Sequence, residues 1–168
     1  MSLAIREATL EDAQGYAVCL ISSWRSAYKG IVPDEYLDSL SVDQRTELMK
    51  QNINAPNGLR YCCATCGDII IGVLLVGQCR DEDKPNAGEI YAIYLLAAYW
   101  GKGFGKELMR YAIETLKRIS YCEAIVWVLE ENVRARQFYE KHGFALDGAK
   151  QEIVLVKPLT AVRYVMDI

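Results

Sequence analysis

The chain has 168 residues, of which 52% are hydrophobic and 24% charged, with a net charge of -3. That length suits a single domain, 1–168, burying about 70% of the surface its unfolded form would expose. The charge speaks against a nucleic-acid binder working through bulk electrostatics, no apolar run nears the roughly 20 residues of a membrane span, and no signal-peptide pattern opens the chain.

Met1-Ser2-Leu3 is open to reading as an expression-vector scar, with the native sequence beginning near Ala4. Ala4 to Ala8 reads as a first strand, and Thr9 with Asp12 three residues on is a capping-box signature for the helix that follows. Ala13, Ala17, Leu20, Ile21, Trp24 and Tyr28 recur there at helical spacing. Gly30 ends this helix, and Pro33 opens a second helical stretch predicted to run through about Lys50. Asn54 to Gly58 is a loop. Arg60–Cys66 and Ile69–Gln78 are expected to form a hairpin turned by Gly67-Asp68. Cys63-Ala-Thr-Cys66 has metal or redox spacing, but zinc would need further ligands and His142 is the only histidine. The expectation is therefore no metal, with the cysteines as small apolar filler in a reducing compartment, the cytoplasm.

The charged run Arg80–Asn86, containing Pro85, reads as a solvated turn. Glu89–Leu96 is a mostly apolar strand, and Gly105–Ser120 a helix with Leu108, Ala112, Leu116 and Ile119 on one side. Glu123–Leu129 is another buried strand. Asn132 can cap a short helix that Gly143 closes. Two terminal strands are expected around Phe144–Leu155 and Thr160–Ile168, with Pro158 in the connection. The order β, αα, βββ, α, β, α, ββ is satisfied by an α/β (α+β) sandwich around one mixed sheet.

The strand beginning at Glu89 runs into Trp100-Gly101-Lys102-Gly103-Phe104-Gly105, and Lys106 opens an amphipathic helix. Alternate glycines let the backbone approach a phosphate and turn its N–H groups toward it. The helix behind them adds roughly half a positive charge at its N-terminus. The nucleotide P-loop does not fit, because Gly101 to Gly105 is one residue short and Glu107 replaces the hydroxyl. The dinucleotide fingerprint fails as well, since Lys106 stands at its third glycine.

These residues resemble the acetyl-CoA loop of the GNAT superfamily N-acetyltransferases, usually Gln/Arg-x-x-Gly-x-Gly/Ala. The resemblance extends upstream through Ile93-Tyr94-Leu95 and downstream through Asn132, Tyr139 and Gly143-Phe144. It covers nearly the whole chain and is specific from Glu89 to Phe144. It implies a mostly antiparallel central sheet flanked by helices, acetyl-CoA as cosubstrate, and acetyl transfer to a primary amine by direct attack on the thioester. By the same resemblance, pyrophosphate sits on the amides of Gly101, Lys102, Gly103, Phe104, Gly105 and Lys106. The strand edge at Ile93, Tyr94 and Leu95 pairs with the amide-rich pantetheine arm, and Asn132 contacts that arm. Tyr139, seven residues after Asn132, takes the place of the tyrosine that protonates the departing sulfur. Glu89, 14 residues before Gly103, matches the glutamate that some members use, directly or through water, to deprotonate the amine. A water chain involving Tyr91 or Tyr94 is the alternative base. Trp100 in place of Gln or Arg removes one polar group that could reach the phosphates. Lys102, Lys106 and Arg110 form a basic rank at the helix start, with a solvated helix face as the other reading.

The first two helices border the acceptor side in this family. Asp34, Glu35, Asp38, Asp43 and Glu47 make that stretch acidic, which suits a cationic amine or simply a solvated face. Trp24, Tyr28 and Tyr36 are candidate pocket walls. Trp127 stands where members that acetylate ribosomal-protein N-termini tend to carry a glutamate, which counts against that substrate class. The expected partner is a small-molecule or peptide amine, with no nucleic acid and no membrane; a homodimer is left open. The competing class is a non-catalytic acyl-CoA-binding sensor or interaction module, against which Tyr139 counts, since a pure binder has no use for an acid at sulfur.

Overall fold

The computed structural model describes residues 3–55 and 57–168, so Met1, Ser2 and Pro56 lie outside the described residues. The chain runs β1 (Leu3–Glu7), α1 (Ala13–Ala27), α2 (Asp34–Ser39), α3 (Val42–Ile53), β2 (Arg60–Cys66), β3 (Ile69–Gln78), β4 (Gly88–Leu95), α4 (Phe104–Arg118), β5 (Glu123–Leu129), α5 (Val133–Lys141), β6 (Ala145–Leu155) and β7 (Lys157–Asp167). The described strands form one seven-stranded sheet in the order β1-β2-β3-β4-β5-β7-β6. Every neighbouring pair is antiparallel except β4 with β5, which is parallel.

Alternation along the central strands feeds two cores. Leu74 and Val76 of β3 with Val126 and Val128 of β5 pack on the face that receives Leu108, Met109, Ala112 and Leu116 of α4. Those four recur at helical spacing, so one stripe of α4 is buried while Arg110 on the opposite side pairs with Glu107 and Glu114. Val73 faces the other way, onto Tyr16, Cys19 and Leu20 of α1 and Met49 of α3. Each large apolar side chain so buried contributes about 1.5–3 kcal/mol.

The parallel contact is brief. Only Gly88↔Ala124 and Glu89↔Ile125 pair before β4 and β5 separate. β4 stays with β3 as far as Leu95, and β5 stays with β7 along its whole length. A register shift opposite Leu75/Val76 leaves Tyr91 as an extra residue on β4, and such a bulge increases local bend and twist. Gly88 lets α4 lie close over the start of β4, because a Cβ there would come within 2.6 Å of Leu116 Cδ2.

Four sequence expectations are corrected in detail. The helical stretch from Pro33 to Lys50 is two helices, broken at Leu40, whose backbone is extended. Ser41 Oγ accepts from Gln44 N at 3.3 Å and starts α3 afresh, while Arg25 donates to the Leu37 and Leu40 carbonyls that end α2. The Thr9–Asp12 box caps a short 3-10 turn, Leu10–Asp12, before α1 begins. Pro158 lies inside β7, at the end beyond its pairing with β5, and Val156 makes the turn at φ 66°. Finally, the run from Arg80 to Asn86 is tied down. Arg163, buried on β7, donates to Asp81 and Asp83 of this run and to Asp147. Arg80 bonds Glu89, and Lys84 bonds Glu123.

Asp12 also accepts two bonds from Arg6, at 2.6 and 2.8 Å, and these hold its carboxyl down at about 2, below the usual 3.8. A depressed carboxylate stabilises the fold above its unfolded value and loses that contribution as pH falls through its folded value. Arg6 is half exposed, so the pair contributes about 1 kcal/mol at most. Asp12→Asn is expected to lower neutral-pH stability by about that amount and to flatten the acid limb between pH 3.8 and about 2, measured by urea unfolding across pH.

Candidate active site

Where β4 and β5 part, a cavity of about 440 Å³ opens. Ligands in open α/β sheets sit beyond the carboxyl ends of strands that diverge in this way. β4 contributes Ile90 through Leu95, β5 contributes Val126 through Val128, and α5 with its N-cap contributes Asn132, Ala135 and Tyr139. The loop ahead of α4 lines one end through Gly101, Gly103 and Gly105. Gly101 and Gly103 hold φ of 72° and 86°, a left-handed backbone that other residues adopt only under strain. Gly103 is the N-cap of α4, and its carbonyl receives the amides of Lys106 and Glu107. The N–H groups of residues 101–105 have no protein partner among the described residues, so the loop presents free donors at a helix start.

Asn132 caps α5, its Oδ1 accepting from Ala135 N at 3.2 Å, and Gly143 closes the helix at φ 93°. This short helix aims Tyr139 at the cavity. The ring is wedged against Phe138, Phe144 and Tyr164, with centroids 5.6–6.1 Å away. Its hydroxyl makes no hydrogen bond to any described residue, and burial pushes its pKa well above that of an ordinary phenol. It therefore stays protonated at neutral pH with its proton uncommitted.

The other end of the cavity is aromatic. Tyr28, the C-cap of α1, and Tyr94 of β4 share a hydrogen bond of 2.6 Å, and Tyr91 and Trp127 add further walls. The Ser23 hydroxyl of α1, which lines the same cavity, is buried without a partner among the described residues. Trp24 packs edge-on against Tyr28 at 5.5 Å and does not line the cavity, and neither does Tyr36. No Asp or Glu lines it among the described residues.

The structure thus gathers Ile93, Tyr94, Leu95, Gly101, Gly103, Gly105, Lys106, Asn132 and Tyr139 around one space. Lys102 and Phe104 stand just outside it, Lys102 over the Tyr99 ring at 5.3 Å and Phe104 packed on the same ring. Arg110 is a solvated-face residue, committed to two glutamates. Asp34, Glu35, Asp38, Asp43 and Glu47 are exposed and line no part of the cavity. Glu89, expected to serve as the base, does not reach it either. Its carboxylate is buried and accepts from Arg80 N, Arg80 Nε and the Arg80 guanidinium end. A carboxylate engaged by three donors has little capacity left for a substrate proton, so Glu89 is better explained as the anchor of the 79–87 connection.

Sequence reading missed Ser23, Arg134 and Lys141, all of which line the cavity. For Arg134 a signal existed in the Asn132-Val-Arg134 spacing, which sets it in the first turn of α5 beside the cap. Ser23 carried no signal, being a small polar residue on an apolar helix face.

The acetyltransferase (GNAT) family profile matches residues 21–144. N-acetyltransferase YuaI of Bacillus subtilis, itself uncharacterized, is 32% identical over 130 residues, 77% of this chain and 73% of that one. The spermidine N(1)-acetyltransferase of Thermoplasma acidophilum is 25% identical over 153 residues, 88% of this chain and 91% of that one. Among solved structures, PaiA N-acetyltransferase from Thermoplasma acidophilum in complex with coenzyme A superposes with a TM-score of 0.82 over 100% of both chains at 22% identity. The chain belongs to the acetyltransferase (GNAT) family and is an N-acetyltransferase, for which acetyl-CoA is the acyl donor.

Replacing the buried carboxylate removes the acceptor of three Arg80 hydrogen bonds. Glu89→Gln is expected to lower stability by about 1–2 kcal/mol, less than for a fully buried pair because Arg80 is itself largely exposed. The pH dependence of kcat/KM should keep its wild-type shape. A lost or displaced limb in that profile, with the melting temperature unchanged, would return Glu89 to the role of base.

Proposed function

We propose that this N-acetyltransferase moves the acetyl group of acetyl-CoA to a primary amine of an aliphatic polyamine, with Tyr139 as the proton donor to sulfur. The observation that carries the mechanism is Tyr139, a buried side chain that lines the gap between β4 and β5 and whose hydroxyl makes no hydrogen bond to any described residue. The acceptor class is supported by two relatives, the spermidine enzyme above and a spermine/spermidine N(1)-acetyltransferase of Bacillus subtilis, 32% identical over 62% of this chain and 70% of that one.

The residues fit the cofactor on three counts. The free amides at 101–105 and the start of α4 suit a pyrophosphate. The edge of β4 beyond Glu89, released by β5, can pair with an amide-bearing arm as a strand would. Lys106, Arg134 and Lys141 line the cavity and supply positive charge. When bound, acetyl-CoA supplies an activated acyl carbon and a thiolate leaving group. Tyr139 then hydrogen-bonds and protonates the departing sulfur.

At the aromatic end, Ser23 and the Tyr28–Tyr94 hydroxyl pair can orient a neutral amine by hydrogen bonds. The faces of Trp127 and Tyr91 suit the remaining cationic nitrogens of a polyamine. With no carboxylate lining the cavity among the described residues, the amine reacts in the neutral form that solution supplies, and its proton leaves through water.

Two outcomes are expected. In an amine panel read by thiol release, spermidine and spermine should outrun amino acids and peptide N-termini, and kcat/KM should climb with pH toward the amine's own pKa. Tyr139→Phe should lower kcat by ~10²-fold, the lower end for general acid catalysis because a thiolate leaves partly unaided, with CoA affinity retained by calorimetry. Full activity in Tyr139→Phe, where chemistry limits the rate, would sink the acid assignment; a peptide N-terminus as the preferred acceptor would sink the polyamine reading.

A further inference from the structure

Position 100 is where this chain departs most from its family's loop, since an indole replaces a polar side chain that could reach phosphate. The structure shows what the indole does instead. Its Nε1 donates to the Leu95 carbonyl at 2.8 Å, which fixes the ring at the end of β4. On that ring lies the Arg134 guanidinium, 3.7 Å from the ring centre. Trp100 and Arg134 come from separate elements, the loop before α4 and the first turn of α5, and both line the cavity beside Gly101 and Gly103.

Arg134 differs from several other arginines in its surroundings. Arg6, Arg60, Arg80, Arg110 and Arg163 are each paired with a carboxylate, whereas Arg134 makes no ion pair among the described residues. Stacking on an indole holds a guanidinium without consuming its N–H donors, which lie in its plane. An arginine so held, with no carboxylate lining the cavity among the described residues, presents a preformed fork to an incoming anion.

We propose that Arg134, held over Trp100, is a phosphate-binding residue of the cofactor site, acting together with the free amides of the glycine loop. Trp100 is then a positioning residue, and α5 supplies the polar group for phosphate that the indole at position 100 does not. The ligand chemistry is a phosphate of CoA, either the pyrophosphate or the 3′-phosphate. This rests on the assignment of the cavity to acetyl-CoA.

Calorimetric titration of wild type, Arg134→Ala and Trp100→Leu with CoA, dephospho-CoA and pantetheine tests the assignment. Arg134→Ala should weaken CoA about 10- to 100-fold, the range for removing a charge-assisted hydrogen bond, and leave pantetheine unchanged. An equal loss for CoA and dephospho-CoA places the fork on the pyrophosphate; a loss for CoA alone places it on the 3′-phosphate. Trp100→Leu should weaken CoA by a smaller factor, and the Trp100→Leu/Arg134→Ala double variant should bind no worse than Arg134→Ala. Unchanged CoA affinity in a folded Arg134→Ala protein, or equal losses for CoA and pantetheine, overturns the proposal while leaving the cofactor reading intact. A wild type that binds none of the three compounds overturns the cofactor reading itself.

Discussion

The early release of β5 by β4 is the constraint from which the rest of the site follows. Two residue pairs hold the strands together, and beyond Glu89 each is retained only by its outer neighbour. Backbone N–H and C=O groups on the inner edges are left facing a gap. A buried backbone group without a partner costs about 1–3 kcal/mol, so this edge has to be satisfied by water or by a ligand carrying its own amides. The same divergence makes room for α5 to bring Tyr139 over the gap, and it leaves the glycine loop at the gap's open end. A sheet zipped to the end of β4 would have no cavity.

Charge is distributed by position and not by total. The chain is net acidic, yet the lining of the cavity contains cations and no carboxylate among the described residues. Several carboxylates are consumed elsewhere in structural pairs. Asp81, Asp83 and Asp147 converge on Arg163, and Glu89 closes on Arg80. The Arg163 node has an indirect bearing on the site, because Asp81 also accepts from the Trp127 indole at 2.9 Å and so steadies one aromatic wall of the cavity. The acidic helices α2 and α3 meet solvent. Their charge contributes to the field around the protein, and their carboxylates line no part of the cavity.

What the sequence determined by itself is what local backbone chemistry decides. The Gly67-Asp68 hairpin, the Asn132 cap, the Gly143 stop and the left-handed glycines ahead of α4 all depend on dihedral preferences and on partners within a few residues. The break between α2 and α3 was not read, although Ser41 and Gln44 stand at capping spacing and carried a signal for it. The periodicity of α4 located one core face, while the candidate acid, Tyr139, came from the family resemblance and not from local chemistry. Tertiary structure alone decided which charges meet. Arg163 lies 80 residues or more from two of its three carboxylates, Trp127 lies 46 from Asp81, and Arg134 lies 34 from the indole beneath it. It also decided that Glu89 turns to Arg80 and away from the cavity, although its position in sequence suits a base. A side chain's local environment can be read from its neighbours in the chain. Its charge partner is set by which elements the sheet order and the helix packing bring face to face.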